Sequence, residues 1–134
     1  MKEKLITSLE KSKNYTLQVA EAMPEKNYGF KPADAVWNFG ELVHHLAYCS
    51  LWMEQNLIKG KEVEWNPPAP PNTKKEILGY LGESFDTVKK AVEHSKNGES
   101  TGALIAILEH IAHHRGQATT YLRVNNITPP EYPF

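Results

Sequence analysis

The sequence predicts an all-α fold, a four-helix bundle. Apolar residues recur at three- and four-residue steps in four segments, each of about 20 residues. All nine prolines fall outside those segments, and helix-capping residues stand at their edges. No stretch alternates with the period of two that a half-buried strand needs, and no internal repeat breaks the pattern.

With 134 residues the chain is expected to form one domain, residues 1–134, long enough to bury a core without disulfides. Hydrophobic residues make up 40% and charged residues 23%, the balance of an ordinary globular protein. A net charge of -1 gives no electrostatic case for nucleic acid or an anionic membrane surface. One cysteine, Cys49, excludes an internal disulfide framework. The start, Met1-Lys2-Glu3-Lys4-Leu5, lacks the apolar stretch of a secretory signal, and no apolar run is long enough to span a bilayer. A cytoplasmic location is expected.

The first helix is predicted over 3–22. Leu5, Leu9, Tyr15 or Thr16, Val19 and Met23 form its stripe, and Pro24 stops it. Residues 24–38 form a connection with two prolines and a glycine, in which Tyr28, Phe30, Val36 and Trp37 are expected to be partly buried over one end of the core. The second helix is predicted over 39–58, with Asn38 as N-cap and Glu41 at the third position of a capping box. Leu42, Leu46, Cys49 and Met53 are its stripe, and Gly60 ends it. Residues 59–72 hold four prolines, a stiff extended crossover able to join two parallel helices. The third helix is predicted over 73–97, opened by the capping box of Thr73 and Glu76 and closed by Asn97-Gly98. Ile77, Leu78, Leu81, Phe85, Val88 and Val92 are its buried face. Gly79 and Gly82 lower helix propensity by about 1 kcal/mol each and are expected to mark close helix contact. The fourth helix is predicted over 100–125, with Ser100 or Thr101 as N-cap and Leu104, Leu108, Ile111, Ala118 and Leu122 inside. The proline-rich tail, 127–134, is expected to lie against the bundle.

The chemistry concentrates in Glu109-His110-Ile111-Ala112-His113-His114-Arg115-Gly116-Gln117. His110 and His114 are four residues apart, so a helix puts them on one face, one turn apart. At about 100° per residue, His114 lies about 50° and His110 about 90° from the centre of the apolar stripe, on the same side. His113 points to solvent. On the second helix His45 lies about 60° from the stripe while His44 points away. His45, His110 and His114 thus sit at core margins, and His44, His94 and His113 do not. Three neutral imidazoles on facing helices can hold one divalent ion and leave positions open to water or substrate. The competing reading is three hydrogen-bonded packing histidines.

Arg115 lies on the far side of the stripe. An unpaired guanidinium is costly there, so it must find a carboxylate or backbone carbonyls, or reach the rim. A structural tie to the tail or to another helix is the reading preferred over a substrate clamp. Gly116 is expected to admit a neighbouring helix. Gln117 is either a partner near the metal or structural. Glu41, one turn before His45, is either an orienting partner for it or solvated. Tyr48, Trp52 and Trp65 are pocket walls or core, and Cys49 is read as a small buried hydrophobe.

Tyr28-Gly-Phe-Lys-Pro32, Trp37-Asn-Phe-Gly-Glu-Leu-Val-His-His45-Leu-Ala, His110-Ile-Ala-His-His-Arg-Gly-Gln117, Tyr121-Leu-Arg123 and Pro129-Pro130 together resemble the DinB-like (DinB/YfiT) superfamily over nearly the whole chain. The resemblance implies an up-down-down-up four-helix bundle. It also implies a divalent metal, nickel or zinc, held by His45, His110 and His114. Homodimers are implied, as are thiol-dependent transferases using bacillithiol or mycothiol and related isomerases. No catalytic residue is assigned. Two readings stay open: a metal-dependent transferase or hydrolase that activates a low-molecular-weight thiol or water for attack on a small molecule, and a stress-response module that holds a metal or small ligand without turnover.

Overall fold

A computed structural model describes residues 1–134 and contains four long helices and no strand. These are α1 (Lys2–Ala22), α2 (Phe39–Met53), α3 (Lys74–His94) and α4 (Thr101–Val124). The capping signals operate as the sequence indicates. Asn38 accepts from the Glu41 amide at 2.8 Å. Thr73 accepts from the Glu76 amide at 3.2 Å and donates to the Glu76 carboxylate at 3.0 Å. Two ends differ from expectation. α2 runs into a π-helical turn over Glu54–Ile58 before Gly60 turns the chain at φ 65°. α3 stops at His94, three residues early, because Ser95 is extended and its hydroxyl bonds the Val92 carbonyl and the Ser100 hydroxyl. Ser100, the N-cap of α4, makes that contact instead of a side-chain cap.

Cross-helix pairs fix the topology. Glu21 with Lys74, Lys13 with Asp86, and Lys2 with the carbonyls of Glu93 and Ser95 make α1 and α3 antiparallel. Arg115 bonds Ser12 and Thr16, while Asn27 bonds Asn125 further on, so α1 and α4 run parallel. His45 faces His110, and the Tyr121 hydroxyl donates to the Trp37 carbonyl, so α2 and α4 are antiparallel. α2 and α3 must then be parallel, which gives up-down-down-up. Around the bundle the order is α1, α3, α2, α4.

The proline-rich crossover returns the chain along α2. Val63 meets Trp52 and Asn56, the Asn66 amide donates to the Tyr48 hydroxyl, and the Pro68 carbonyl meets His44. Each partner lies nearer the start of α2 than the last. Prolines cannot donate to a backbone ladder, so α2 side chains supply the partners instead.

One buried cluster joins all four helices and includes Leu9, Val19, Leu42, Leu46, Leu81, Phe85, Leu104, Ile111 and Leu122. Each such side chain contributes about 1.5–3 kcal/mol on leaving water. Ile107, absent from the expected stripe, is fully buried too. Tyr28 and Phe39 pack edge to face at 5.0 Å over one end, with Phe30 against Tyr121 at 6.3 Å. Val36 and Trp37 of the same connection are exposed, unlike the expectation. Gly79, Gly82 and Gly116 have no neighbouring atom within 4 Å of where a Cβ would stand, so none marks a close helix contact. The tail does dock: Tyr15 donates to the Pro130 carbonyl at 3.0 Å and packs on the Tyr132 ring. No helix is long and apolar enough to cross a membrane.

Candidate metal centre

The antiparallel α2–α4 pair brings His45, His110 and His114 together, with one ring nitrogen from each within 4.8 Å of the other two. Nε2 of His45 lies 3.2 Å from Nε2 of His110. Two nitrogens bound about 2.0–2.1 Å from one ion stand roughly 3.0–3.4 Å apart. The imidazole rings are mutually tilted, at 60° to 83° and 4.5 to 5.1 Å between centroids, as ligands converging on one point must be.

Burial and mutual repulsion keep the three rings neutral. Burial, then the neighbouring His114, pushes His45 and His110 down to about 4, and burial also lowers His114. Neutral imidazoles offer lone pairs at neutral pH, which a metal requires. His114 is held further: its Nδ1–H donates to Gln117 Oε1 at 2.8 Å, leaving Nε2 as its free lone pair. Gln117 is therefore the orienting partner of a histidine. Glu41 has no such role. It makes no hydrogen bond to His45 and sits at the start of α2. Nε2 of His110 is the nitrogen that faces His45, while its Nδ1 is buried without a partner.

Aromatic rings flank the cluster. Trp37 lies 4.5 Å from His45 and 5.8 Å from His114, ring to ring, and Trp65 lies 5.8 Å from His45 on another side. Tyr48 and Trp52 pack on Trp65 at 5.0 and 5.5 Å. Trp37 and Trp65 remain 44% and 47% exposed, so both present a face to an incoming molecule. Tyr48, Trp52 and Trp65 were candidate walls by position. Trp37 was not, because it precedes α2 and only the folded connection swings it over His45.

The other histidines stay out of the cluster. His94 and His113 are exposed. His44 is directed away from the site but is not solvated: it is 5% exposed, against the Pro68 carbonyl at 3.2 Å and the Tyr80 ring. A wheel drawn for α2 alone omits the crossover that covers this side. Cys49 is buried, and burial raises its thiol to about 11, so it is inert packing.

The sequence profile of the DinB superfamily matches residues 8–118. This chain belongs to the DinB superfamily. Two solved structures of DinB-like proteins share the fold. One, from Bacillus cereus, superposes with a TM-score of 0.82 at 17% identity, covering 97% of this chain and 96% of its own. The other, YjoA from Bacillus subtilis, has a TM-score of 0.75 at 19% identity over 98% and 96%. At such identities the likeness establishes the bundle, and the site rests on this chain's own residues. No protein of curated function matches the chain. The motif resemblance and the up-down-down-up expectation are thus both borne out for this superfamily member.

Proposed function

We propose that this DinB-superfamily protein is a metal-dependent transferase or hydrolase in which His45, His110 and His114 hold one divalent ion, nickel or zinc. One observation carries the reading: three neutral imidazoles from two antiparallel helices aim nitrogens at one point, and two of those nitrogens already stand 3.2 Å apart. When bound, a divalent ion supplies Lewis-acid chemistry that acidifies a thiol, of the bacillithiol type, or water. The chain's own residues prepare the place. Burial holds His45 and His110 unprotonated. Gln117 fixes the tautomer and orientation of His114. Trp37 and Trp65 exclude water from two sides of His45 and offer flat apolar faces to the electrophilic substrate.

The test is metal content after purification without a histidine tag. Stoichiometric nickel or zinc is expected in the native protein and less than a tenth of it in His110→Ala. Unchanged metal in that variant overturns the assignment. A second reading, a module that holds the ion without turnover, is favoured by the make-up of the cluster, three histidines with no carboxylate among the grouped side chains. A conjugation screen that pairs low-molecular-weight thiols with electrophiles separates the two readings, since metal-dependent turnover excludes the module.

A further inference from the structure

Arg115 is a cation with no counter-ion. It is 5% exposed, yet every partner it has is neutral. Nη1 donates to Ser12 at 3.1 Å and Thr16 at 3.3 Å, both on α1. The rings of Tyr15, Phe134 and Tyr132 lie 5.0, 5.5 and 5.8 Å from its central carbon. Those rings and hydroxyls solvate the charge without cancelling it, and a buried charge left uncancelled is expensive. The five ion pairs of the molecule include neither Arg115 nor Arg123.

Both arginines line one cavity of about 280 Å³ between α1, α4 and the tail. Arg123 follows Arg115 by two turns and stands at the rim, exposed. No acidic side chain lines this space. Its remaining walls are Tyr15, Tyr132, Ala112, Gly116 and Thr119, and the Thr119 hydroxyl is already committed to the Gly116 carbonyl. The bare backbone of Gly116 keeps the cavity open, since nothing lies within 4 Å of its missing Cβ. The cavity is on the side of α4 that meets α1, whereas His110 and His114 are on the side that meets α2.

We infer that this cavity is a second binding site, distinct from the histidine cluster, and that it takes a small organic carboxylate with a planar apolar body. The planar guanidinium of Arg115 matches a carboxylate in shape and charge, with Arg123 as a second cation at the mouth. The phenol rings and Ala112 suit an apolar body and do nothing for a hydrated phosphate. A volume near the lower limit of small-molecule sites, about 300 Å³, restricts the ligand to one ring or a short chain.

The probe is sodium benzoate, titrated into the protein as purified. Binding is followed by calorimetry and by the Arg115 Nε–H and Tyr132 ring signals in NMR. Inorganic phosphate is titrated in parallel. Saturable benzoate binding is expected, weakened at least fivefold in Arg123→Gln and abolished in Gly116→Leu, which adds a bulky side chain at a lining position where a Cβ meets open space. His110→Ala should bind benzoate as the native protein does, which keeps the result independent of the metal reading. Four outcomes each overturn the proposal: no saturable binding, binding indifferent to both Arg123→Gln and Gly116→Leu, binding lost in His110→Ala, or phosphate bound more tightly than benzoate.

Discussion

Replacing Gln117 by leucine tests whether the cluster is assembled for a metal or merely packed. The bond at stake is the one from His114 Nδ1–H to Gln117 Oε1, at 2.8 Å. It sets the tautomer that leaves Nε2 bare and stops the ring from turning. Loss of such an outer partner typically costs 10- to 100-fold in metal affinity, or about 1.4 to 2.7 kcal/mol. Gln117 is exposed, so water can take over part of its role. The expected loss is therefore close to the lower figure, about tenfold. Leucine is a good helix former and the position is outside the core, so the metal-free protein should melt within about 1 °C of native. Zinc affinity is measured by competition against a chromophoric chelator, with Thr120→Ala on the same exposed stretch of α4 as control. Gln117→Glu, a stronger acceptor, should match or exceed native affinity. If Gln117→Leu holds zinc within twofold of native while His114→Ala does not, the orienting role of Gln117 is refuted.

Four further outcomes follow from the same structure. Glu54 is fully buried with Lys59 Nζ 2.8 Å away, so Lys59→Met strands a buried carboxylate and should cost about 3 kcal/mol in urea unfolding. Glu54→Gln should cost less, because the half-exposed Lys59 can swing into water, and the reverse order would contradict the pairing. In the metal-free protein His45 and His110 take protons only near pH 4, whereas the unfolded chain takes them near 6.5. Their contribution is therefore complete above pH 6.5 and lost as the pH falls to 4, at a cost of about 3 kcal/mol for the adjacent pair, read from denaturation midpoints across that range. Gly79→Ala and Gly82→Ala meet open space and should each stabilise by about 1 kcal/mol, raising the melting temperature by about 4 °C; a fall in either would restore a packing role for that glycine. Cys49 should resist iodoacetamide at pH 8 in the native state and react once urea unfolds the chain, since its thiol is buried and raised to about 11.

What the sequence made legible follows from what a helix fixes locally. Capping residues such as Asn38 and Thr73 act within one turn, so their positions could be read directly. The inward tilt of His45, His110 and His114 depends only on helical pitch, and it was correct. The errors arose where a second element decides the outcome. His44 does point away from the α2 stripe, but its burial could not be read because the crossover that covers it is not part of α2. Arg115 does tie α4 to α1 and to the tail, the preferred reading, but it does so through two hydroxyls and three rings rather than a carboxylate or carbonyls, partners that only the folded neighbours reveal. Gly79, Gly82 and Gly116 were given neighbours they do not have. Glu54 was passed over because a carboxylate inside a π-helical turn leaves no mark on a 3.6-residue pattern. The end of α3 was misplaced because the Ser95–Ser100 contact, not Asn97-Gly98, terminates it.

The order of the helices around the bundle has a kinetic consequence. Of the consecutive pairs only α2 and α3 pack together substantially, and they are joined by the crossover rather than a tight turn. No short helical hairpin is therefore available as an early, locally closed unit. The face between α2 and α4 joins residues 65 apart in the chain, an ordering that costs about 4 kcal/mol of loop entropy before any contact forms. The three imidazoles meet only when that face is complete. A ligand that bridges them is expected to act late in folding, so refolding rates measured with and without it should agree while unfolding slows. Occupancy of the histidine cluster then acts as a latch on the native bundle, and its loss shortens the lifetime of the folded chain without impairing the chain's ability to form again.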